Sequence, residues 1–360
     1  MRAHYDSHMT KPYLLTGDTP TGKLHLGHWV GSLENRVALQ NDYHCNFLIA
    51  NTHAFSTKAD KPVEIRESVL DIVLDYLSVG IDPEKSCIFL ETDVPAIFEL
   101  ASYFSMLISY PRLMRNPTIK DEIRDKNLGE QYSMGFLWYP ILQVADILAF
   151  QAEVVPVGED QAAHLELARE VARKFNQLYC GVSSHIEDQD YLKHGALFPV
   201  PKILLGRTKR LVGTGGPTVD GNLLKMSKSL NNAIFLNDDA DTVRQKVMNM
   251  YTDPNRLRVT DPGNVENNPL WIFHDTFNSD HAWIKEAKER YKQGKIGDVE
   301  CKKKLIEILI SILDPMHQKR KEYAGDKDYI LSVLKSGAEK ANVIANKTLL
   351  KAKEAIHQAY

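Results

Sequence analysis

Short apolar runs of strand length alternate with helical stretches over the first half of this chain, and that alternation restricts the fold more than any other feature. Tyr13-Leu14-Leu15-Thr16, Cys45 to Ala50 (CNFLIA) and Ser86 to Leu90 (SCIFL) are apolar nearly throughout, as strands covered on both faces are. Lys61 to Val79 repeats Ile65, Val69, Ile72, Val73, Tyr76 and Leu77 at helical spacing, with Pro62 suited to a first turn and Gly80 to a helix end. A further helix is expected from Gly27 to about Asn41, and Gly17-Asp18-Thr19-Pro20 breaks the first strand. Strands that alternate with helices argue for a doubly wound parallel sheet.

Downstream, Glu99 to Ile108 and Leu137 to Gln151 read as helices, Glu153 to Val157 as a strand and Glu159 to Phe175 as a helix. A Gly-rich connection spans about Pro199 to Leu224, and only helices are expected beyond Asn237. Ile306, Ile308, Leu309, Ile312 and Leu313 form an apolar stripe that Pro315 should end, and Lys327 to Tyr360 reads as a last helix. Residues 12–235 are thus expected to form the α/β domain and 236–360 an all-helical one. Met1 to Met9 lack any pattern and read as a leader or remnant, so His4 and His8 are not taken as ligands.

The net charge of −3 gives no global reason to expect a nucleic-acid partner. Cys301 to Tyr360, however, holds 12 Lys/Arg against 7 Asp/Glu. Those charges read either as solvated helix faces or as an RNA-facing surface. Cys45, Cys87, Cys180 and Cys301 are widely separated and form no C-x-x-C pair, which suggests no zinc or iron–sulfur site and fits a reducing, cytoplasmic compartment. No apolar run approaches a membrane span.

Chemistry enters at Thr21-Gly22-Lys23-Leu24-His25-Leu26-Gly27-His28, directly after the first strand. Ligands of doubly wound sheets bind beyond the carboxyl ends of strands. A glycine there admits close backbone approach, and a helix N-terminus offers N–H groups to anions. His25 and His28 can donate to phosphate oxygens; otherwise this is a loop with two incidental histidines. It is neither a dinucleotide fingerprint nor a P-loop, and no third ligand stands at metal-binding spacing. A second segment, Lys225-Met226-Ser227-Lys228-Ser229, follows the flexible Gly213-Thr214-Gly215-Gly216-Pro217. Its lysines can close over a triphosphate, or form a solvated basic loop.

The H-x-G-H at the first turn and the later K-M-S-K-S resemble the signature pair of class I aminoacyl-tRNA synthetases, from Tyr13 to Tyr360. The resemblance implies a Rossmann-like catalytic domain with a C-terminal helical anticodon-binding domain, amino-acid activation by ATP with Mg²⁺, and transfer to tRNA. Within Trp138 to Gln161 (WYPILQVADILAFQAEVVPVGEDQ), Asp146 lies on a helix that is apolar nearly all round. A carboxylate there either needs a donor or follows a thin polar stripe. Val155 and Val157 alternate on a strand and can wall an aromatic ring.

That region is similar to the tryptophanyl branch, whose V-P-V-G-E-D-Q stands here at Val155 to Gln161. The likeness implies that Asp146 accepts the indole N–H and that Tyr139 and Gln161 approach the α-amino group. It also implies that Gly158, Glu159, Asp160, Thr19, Pro20, Thr21 and Gly27 hold ATP, together with Met226, Ser227, Ser229 and, as an adenine contact, Leu211. Leu15, His53, Val155 and Val157 would line the ring pocket. His25, His28, Lys225 and Lys228 would stabilise phosphate charge without a protein-bound catalytic metal. Gln143, where many members carry Met, also resembles the sister tyrosyl enzymes, which usually show G-S-D-Q instead of Gly158 to Gln161. A small-molecule nucleotidyltransferase and a catalytically silent RNA-binding paralogue are rivals from other classes. The family further implies a homodimer with L-tryptophan, ATP and tRNA(Trp) as partners. Lys319, Arg320, Lys321, Lys347 and Lys351 are candidate phosphate contacts.

Overall fold

A computed structural model describes residues 11–125, 128–129, 131–157, 162–205 and 211–360. Five strands, β1 (Tyr13–Asp18), β2 (His44–Ile49), β3 (Ser86–Leu90), β4 (Val154–Val157) and β5 (Lys202–Leu205), form one sheet. The order is β3-β2-β1-β4-β5 and every pairing is parallel. This is the expected doubly wound sheet, and the order reverses between β1 and β4, where such sheets open a ligand crevice.

The apolar runs divide between two cores by strand alternation. Leu14, Phe47, Ile49 and Ile88 join one core cluster, whereas Leu15, Leu48, Cys87 and Phe89 join the other. The first core is closed by α4 (Pro62–Val79) and by helices of the C-terminal half, α10 (Ala240–Met248), α11 (Pro269–Phe277), α12 (His281–Lys292) and α13 (Asp298–Ala324). The second is closed by α5 (Pro95–Ser105), α8 (Met134–Ala149), α9 (Ala162–Tyr179) and α14 (Lys327–Ala355). In α4, Pro62 stands in the first turn, and Gly80 ends the helix at φ 104°, a left-handed conformation that suits glycine.

The C-terminal helices pack onto the sheet rather than standing apart from it. Ile72 and Val73 of α4 share one core cluster with Leu305, Leu309 and Leu313 of α13. Gly337 of α14 lies so close to edge strand β3 that a Cβ there would meet the Ile88 carbonyl oxygen at 1.8 Å. The Cys87 thiol donates to the Gly337 carbonyl at 3.0 Å. Helix α14 therefore covers an edge that would otherwise be open to pairing.

Several local expectations are corrected. Gly17 and Asp18 extend β1 instead of breaking it, in register with Leu48 and Ile49. A helix α3 (Asn51–Lys58) and strand β5 were not expected. Their runs are too short for periodicity to decide. Helix α5 begins at Pro95 rather than Glu99, and α8 at Met134, where Ser133 Oγ accepts from Phe136 N. Pro315 lies inside α13 and does not end it. Its ring is exposed, so water can reach the backbone group that its missing N–H leaves unpaired. Among the described residues, no helix is long and apolar enough to cross a membrane.

Candidate functional site

The histidine turn and the basic loop meet at the carboxyl end of β1. His25 precedes a short helix α1 (Leu26–His28), which continues as a π-helical turn (Trp29–Leu33) into α2 (Glu34–Leu39). Residues 24–26 pair with the segment just after the basic loop: Leu26 N donates to Ile234 O at 2.9 Å and Leu236 N to Leu24 O at 3.0 Å. The loop itself closes a hairpin, with Met226 N donating to Leu211 O at 3.1 Å and Gly213 N to Leu224 O at 3.0 Å. Asn232 staples it: Oδ1 accepts from Ser227 N at 2.8 Å, and Nδ2 donates to Lys225 O at 3.1 Å. The Ser227 and Ser229 hydroxyls lie 3.0 Å apart.

Two glycines permit this contact. A Cβ on Gly27 would sit 2.9 Å from the His25 ring and 3.7 Å from Met226 Cβ. A Cβ on Gly22 would sit 3.4 Å from Lys228 Nζ. The two imidazoles are in contact, with ring centroids 3.8 Å apart and planes tilted by 41°. His25 N donates to His28 Nδ1 at 3.1 Å, so a neutral His28 carries its hydrogen on Nε2. Burial, then the nearby His28 and Lys228 charges, push the His25 pKa down to about 2. His25 is thus a neutral donor. Burial likewise lowers Lys228, to about 8, with Lys58 adding to the effect and Asp18 and Asp75 opposing it. Lys225 is exposed.

Asp18, at the mouth of β1, is committed inward. Its Oδ2 accepts from Arg36 Nη1 at 2.7 Å and from the Tyr76 hydroxyl at 2.6 Å. Burial raises its pKa, but Arg36, His28 and Tyr76 outweigh burial and hold it below the usual range. Thr19 is exposed and Pro20 buried, while the Thr21 carbonyl accepts from Lys58 Nζ at 3.2 Å. The Leu211 side chain is buried in the first core.

The amino-acid side lies across β1, toward β4. Tyr139, Gln143 and Asp146 follow one another at i, i+4 and i+7 along α8, one face of a helix. Leu15 and Val155 are buried on adjacent strands, with Val157 partly buried beside them. Asp146 is 2% exposed, and its Oδ1 has no hydrogen-bond partner among the described residues. Its Oδ2 lies 4.0 Å from His53 Nε2, which is also 3.2 Å from the Tyr139 carbonyl oxygen. His53 Nδ1 lies 3.0 Å from Oε1 of the fully buried Glu91. The ring thus lies between these acceptors. The Tyr139 hydroxyl donates to Glu122 Oε1 at 3.1 Å. A cavity of about 140 Å³ beside this cluster is lined by Thr52, Phe55, Trp138, Tyr139 and Leu142, among others. Gly158, Glu159, Asp160 and Gln161 lie outside the described residues.

Comparison with known proteins bears on the same pairing of motifs. The profile described as tRNA synthetases class I (W and Y) matches residues 8–314. The chain belongs to this family. A tryptophan--tRNA ligase of Clostridium longisporum is 46% identical to this synthetase over 98% of each chain. One of Borreliella burgdorferi is 46% identical over 97% of this chain and 94% of its own. A crystal structure of tryptophanyl-tRNA synthetase from Campylobacter jejuni, complexed with ADP and tryptophan, superposes with a TM-score of 0.79 at 30% identity, covering 96% of this chain and 99% of that one.

Sequence reading missed several residues of the synthetase's site. Arg36, Tyr76 and Asp18 form its buried polar floor, and Arg36 gave no signal because it stands beside Glu34 and Asn35 in a polar stretch of its helix. Glu91 gave no signal, because it follows β3 in a polar turn. Arg320, expected on the tRNA side, instead pairs with Asp71 at 2.6 Å and with Asp75. It is spent on α4, whereas Lys319, Lys321, Lys347 and Lys351 are exposed.

Proposed function

We propose that this synthetase activates L-tryptophan with ATP to tryptophanyl-adenylate and transfers the aminoacyl group to tRNA(Trp). The observation that carries the amino-acid choice is Asp146, a buried carboxylate whose Oδ1 has no hydrogen-bond partner among the described residues. A donor group on the substrate completes it, and the indole N–H is such a donor. Phenylalanine would bury it unpaired, and sites of this kind discriminate by roughly 10⁴ to 10⁵ without editing. The identity to tryptophan--tRNA ligases over nearly the whole chain supports the same choice.

In the activation step the tryptophan carboxylate attacks the α-phosphorus of ATP in line, and pyrophosphate leaves. The protein positions the groups and stabilises charge, with no covalent enzyme intermediate. His25 and His28 donate to the phosphates from the helix start. Lys225 and Lys228 meet the departing pyrophosphate as the loop closes, an interaction strongest in the transition state. Mg²⁺ would accompany ATP and offset phosphate charge; Asp18, already bonded to Arg36 and Tyr76, would not be spare to hold it. Thr19, Pro20, Thr21, Gly27 and the stretch Gly158 to Asp160 complete the nucleotide site, with Gln161 at the α-amino group. Residues 12–235 serve catalysis and 236–360 the anticodon end. The working form is a cytoplasmic homodimer.

ATP–pyrophosphate exchange with each of the twenty amino acids tests this. Exchange with tryptophan alone is expected. Exchange with tyrosine would transfer the assignment to the sister enzyme, and no exchange at all would leave an RNA-binding paralogue.

A further inference from the structure

The tryptophan pocket holds one imidazole between two buried carboxylates, and the three do not balance. Glu91 is fixed from outside the pocket. Its Oε2 accepts from Thr52 N at 3.0 Å. Thr92 N donates to Asn51 Oδ1 at 3.2 Å while Asn51 Nδ2 donates to Thr92 Oγ1 at 2.8 Å, which clamps α3 to the turn after β3. His53 Nδ1 lies 3.0 Å from Glu91 Oε1, a charge contact without hydrogen-bond alignment, and Nε2 faces the Tyr139 carbonyl oxygen at 3.2 Å. Set between two buried carboxylates at 3.0 and 4.0 Å, the ring is best served as a cation. Asp146, at 4.0 Å, is the more distant carboxylate, and no backbone N–H is bonded to its Oδ1. A buried cluster with one excess negative charge is costly, and it relaxes by taking up a proton where the carboxylate is least supported.

We propose that Glu91 sets the protonation state of this pocket: it claims the His53 cation, leaves Asp146 a neutral acid until tryptophan binds, and so couples tryptophan capture to proton release. The inference rests on the tryptophan reading of the site. On binding, the Asp146 O–H bond breaks and its proton passes to the buffer. The resulting carboxylate then accepts the indole N–H. A side chain without that donor leaves the proton in place and gains nothing from Asp146.

The electrostatics agree. Burial, and then the Glu91 charge, hold Asp146 well above the usual carboxylate range, with His53 offsetting only part. Burial lowers His53, but Glu91 and Asp146 outweigh it and push the ring up to about 9. The titratable groups facing Asp146 are His53 from α3 and Glu91 from the turn after β3. Tyr139 on α8 lies beyond His53, backed by Glu122 and by His164 of α9. The buried side chains that α5, α14 and β1 bring to the same cluster, Leu100, Ala101, Ala345 and Leu15 among them, are uncharged.

Calorimetric titration of the full-length protein at pH 7 in phosphate and in Tris measures protons released on binding. Tryptophan should release protons, and β-(3-benzothienyl)alanine, which has sulfur in place of the indole N–H, close to none. The α-amino group is common to both ligands and cancels. Glu91→Gln keeps an acceptor for Thr52 N but removes the charge. Its tryptophan-linked release should fall toward zero, and the roughly tenfold gain in wild-type affinity per pH unit should flatten. Equal release with both ligands, or an unchanged release in Glu91→Gln, overturns the inference. The wild-type comparison of ligands decides alone if the variant does not fold. A protein that does not bind tryptophan overturns the reading of the pocket, whereas binding without release overturns this inference only.

Discussion

Met226 of the basic loop rests against Gly27 of the histidine turn, where an added Cβ would lie 3.7 Å away. Two segments far apart in the chain thereby share one surface, held by the backbone bonds between residues 24–26 and 234–236.

Gly27→Ala should therefore damage chemistry more than folding. The new methyl meets the His25 ring at 2.9 Å, so the imidazole must turn out of line. Pyrophosphate exchange should slow by about 10- to 100-fold, which corresponds to about 1.4–2.7 kcal/mol. A melting temperature within a few degrees of wild type should accompany it. A variant with wild-type exchange would show that the His25 position is irrelevant.

Asp146→Ala should lower kcat/KM for tryptophan by at least about 100-fold, because the donor on the substrate loses its acceptor. KM for ATP should change little, since Asp146 stands on the far side of β1 from the histidine turn. Steady-state kinetics with each substrate varied in turn check both halves.

Lys228 carries a pH prediction. Burial lowers its pKa to about 8, so the cation prevails below that pH and is lost above it. The kcat/KM for ATP, which reports the free enzyme, should therefore fall as pH rises through about 8. Lys228→Arg, whose guanidinium stays charged, should flatten that limb, and Lys228→Ala should lower kcat more than it raises KM. An alkaline limb that survives in the arginine variant would assign it to another group.

Arg320 should prove structural. It holds Asp75, whose pKa burial raises to about 7, with Arg320 and the Leu24 N–H working against that rise. Above pH 7 Asp75 ionises in the fold and depends on the guanidinium; below it the neutral acid needs none. Arg320→Ala should thus cost about 1.4 kcal/mol more at pH 8 than at pH 6, since pH 8 lies about one unit above the Asp75 pKa. Denaturant melts at the two pH values measure this. Equal losses at both would mean that only the Asp71 pair matters.

The parallel sheet, the two signature segments and the acid on α8 are all legible in the order of residues. Each is local: apolar runs in strands, glycine and histidine at a turn, one charge among Ala145, Ile147 and Leu148. What that order could not determine is who meets whom. Glu91, Thr52 and His53 converge only because α3 and the turn after β3 are pinned together. Arg320 leaves the tRNA side only because α13 packs on α4. Pro315 looked like a helix end because its missing N–H is a local fact, whereas the packing that carries α13 past it is not. Such pairings depend on distances set by the whole fold, and protonation depends on burial that no single segment encodes. The chain's own pattern specifies the parts and their chemistry, while the tertiary structure decides their partners and charges.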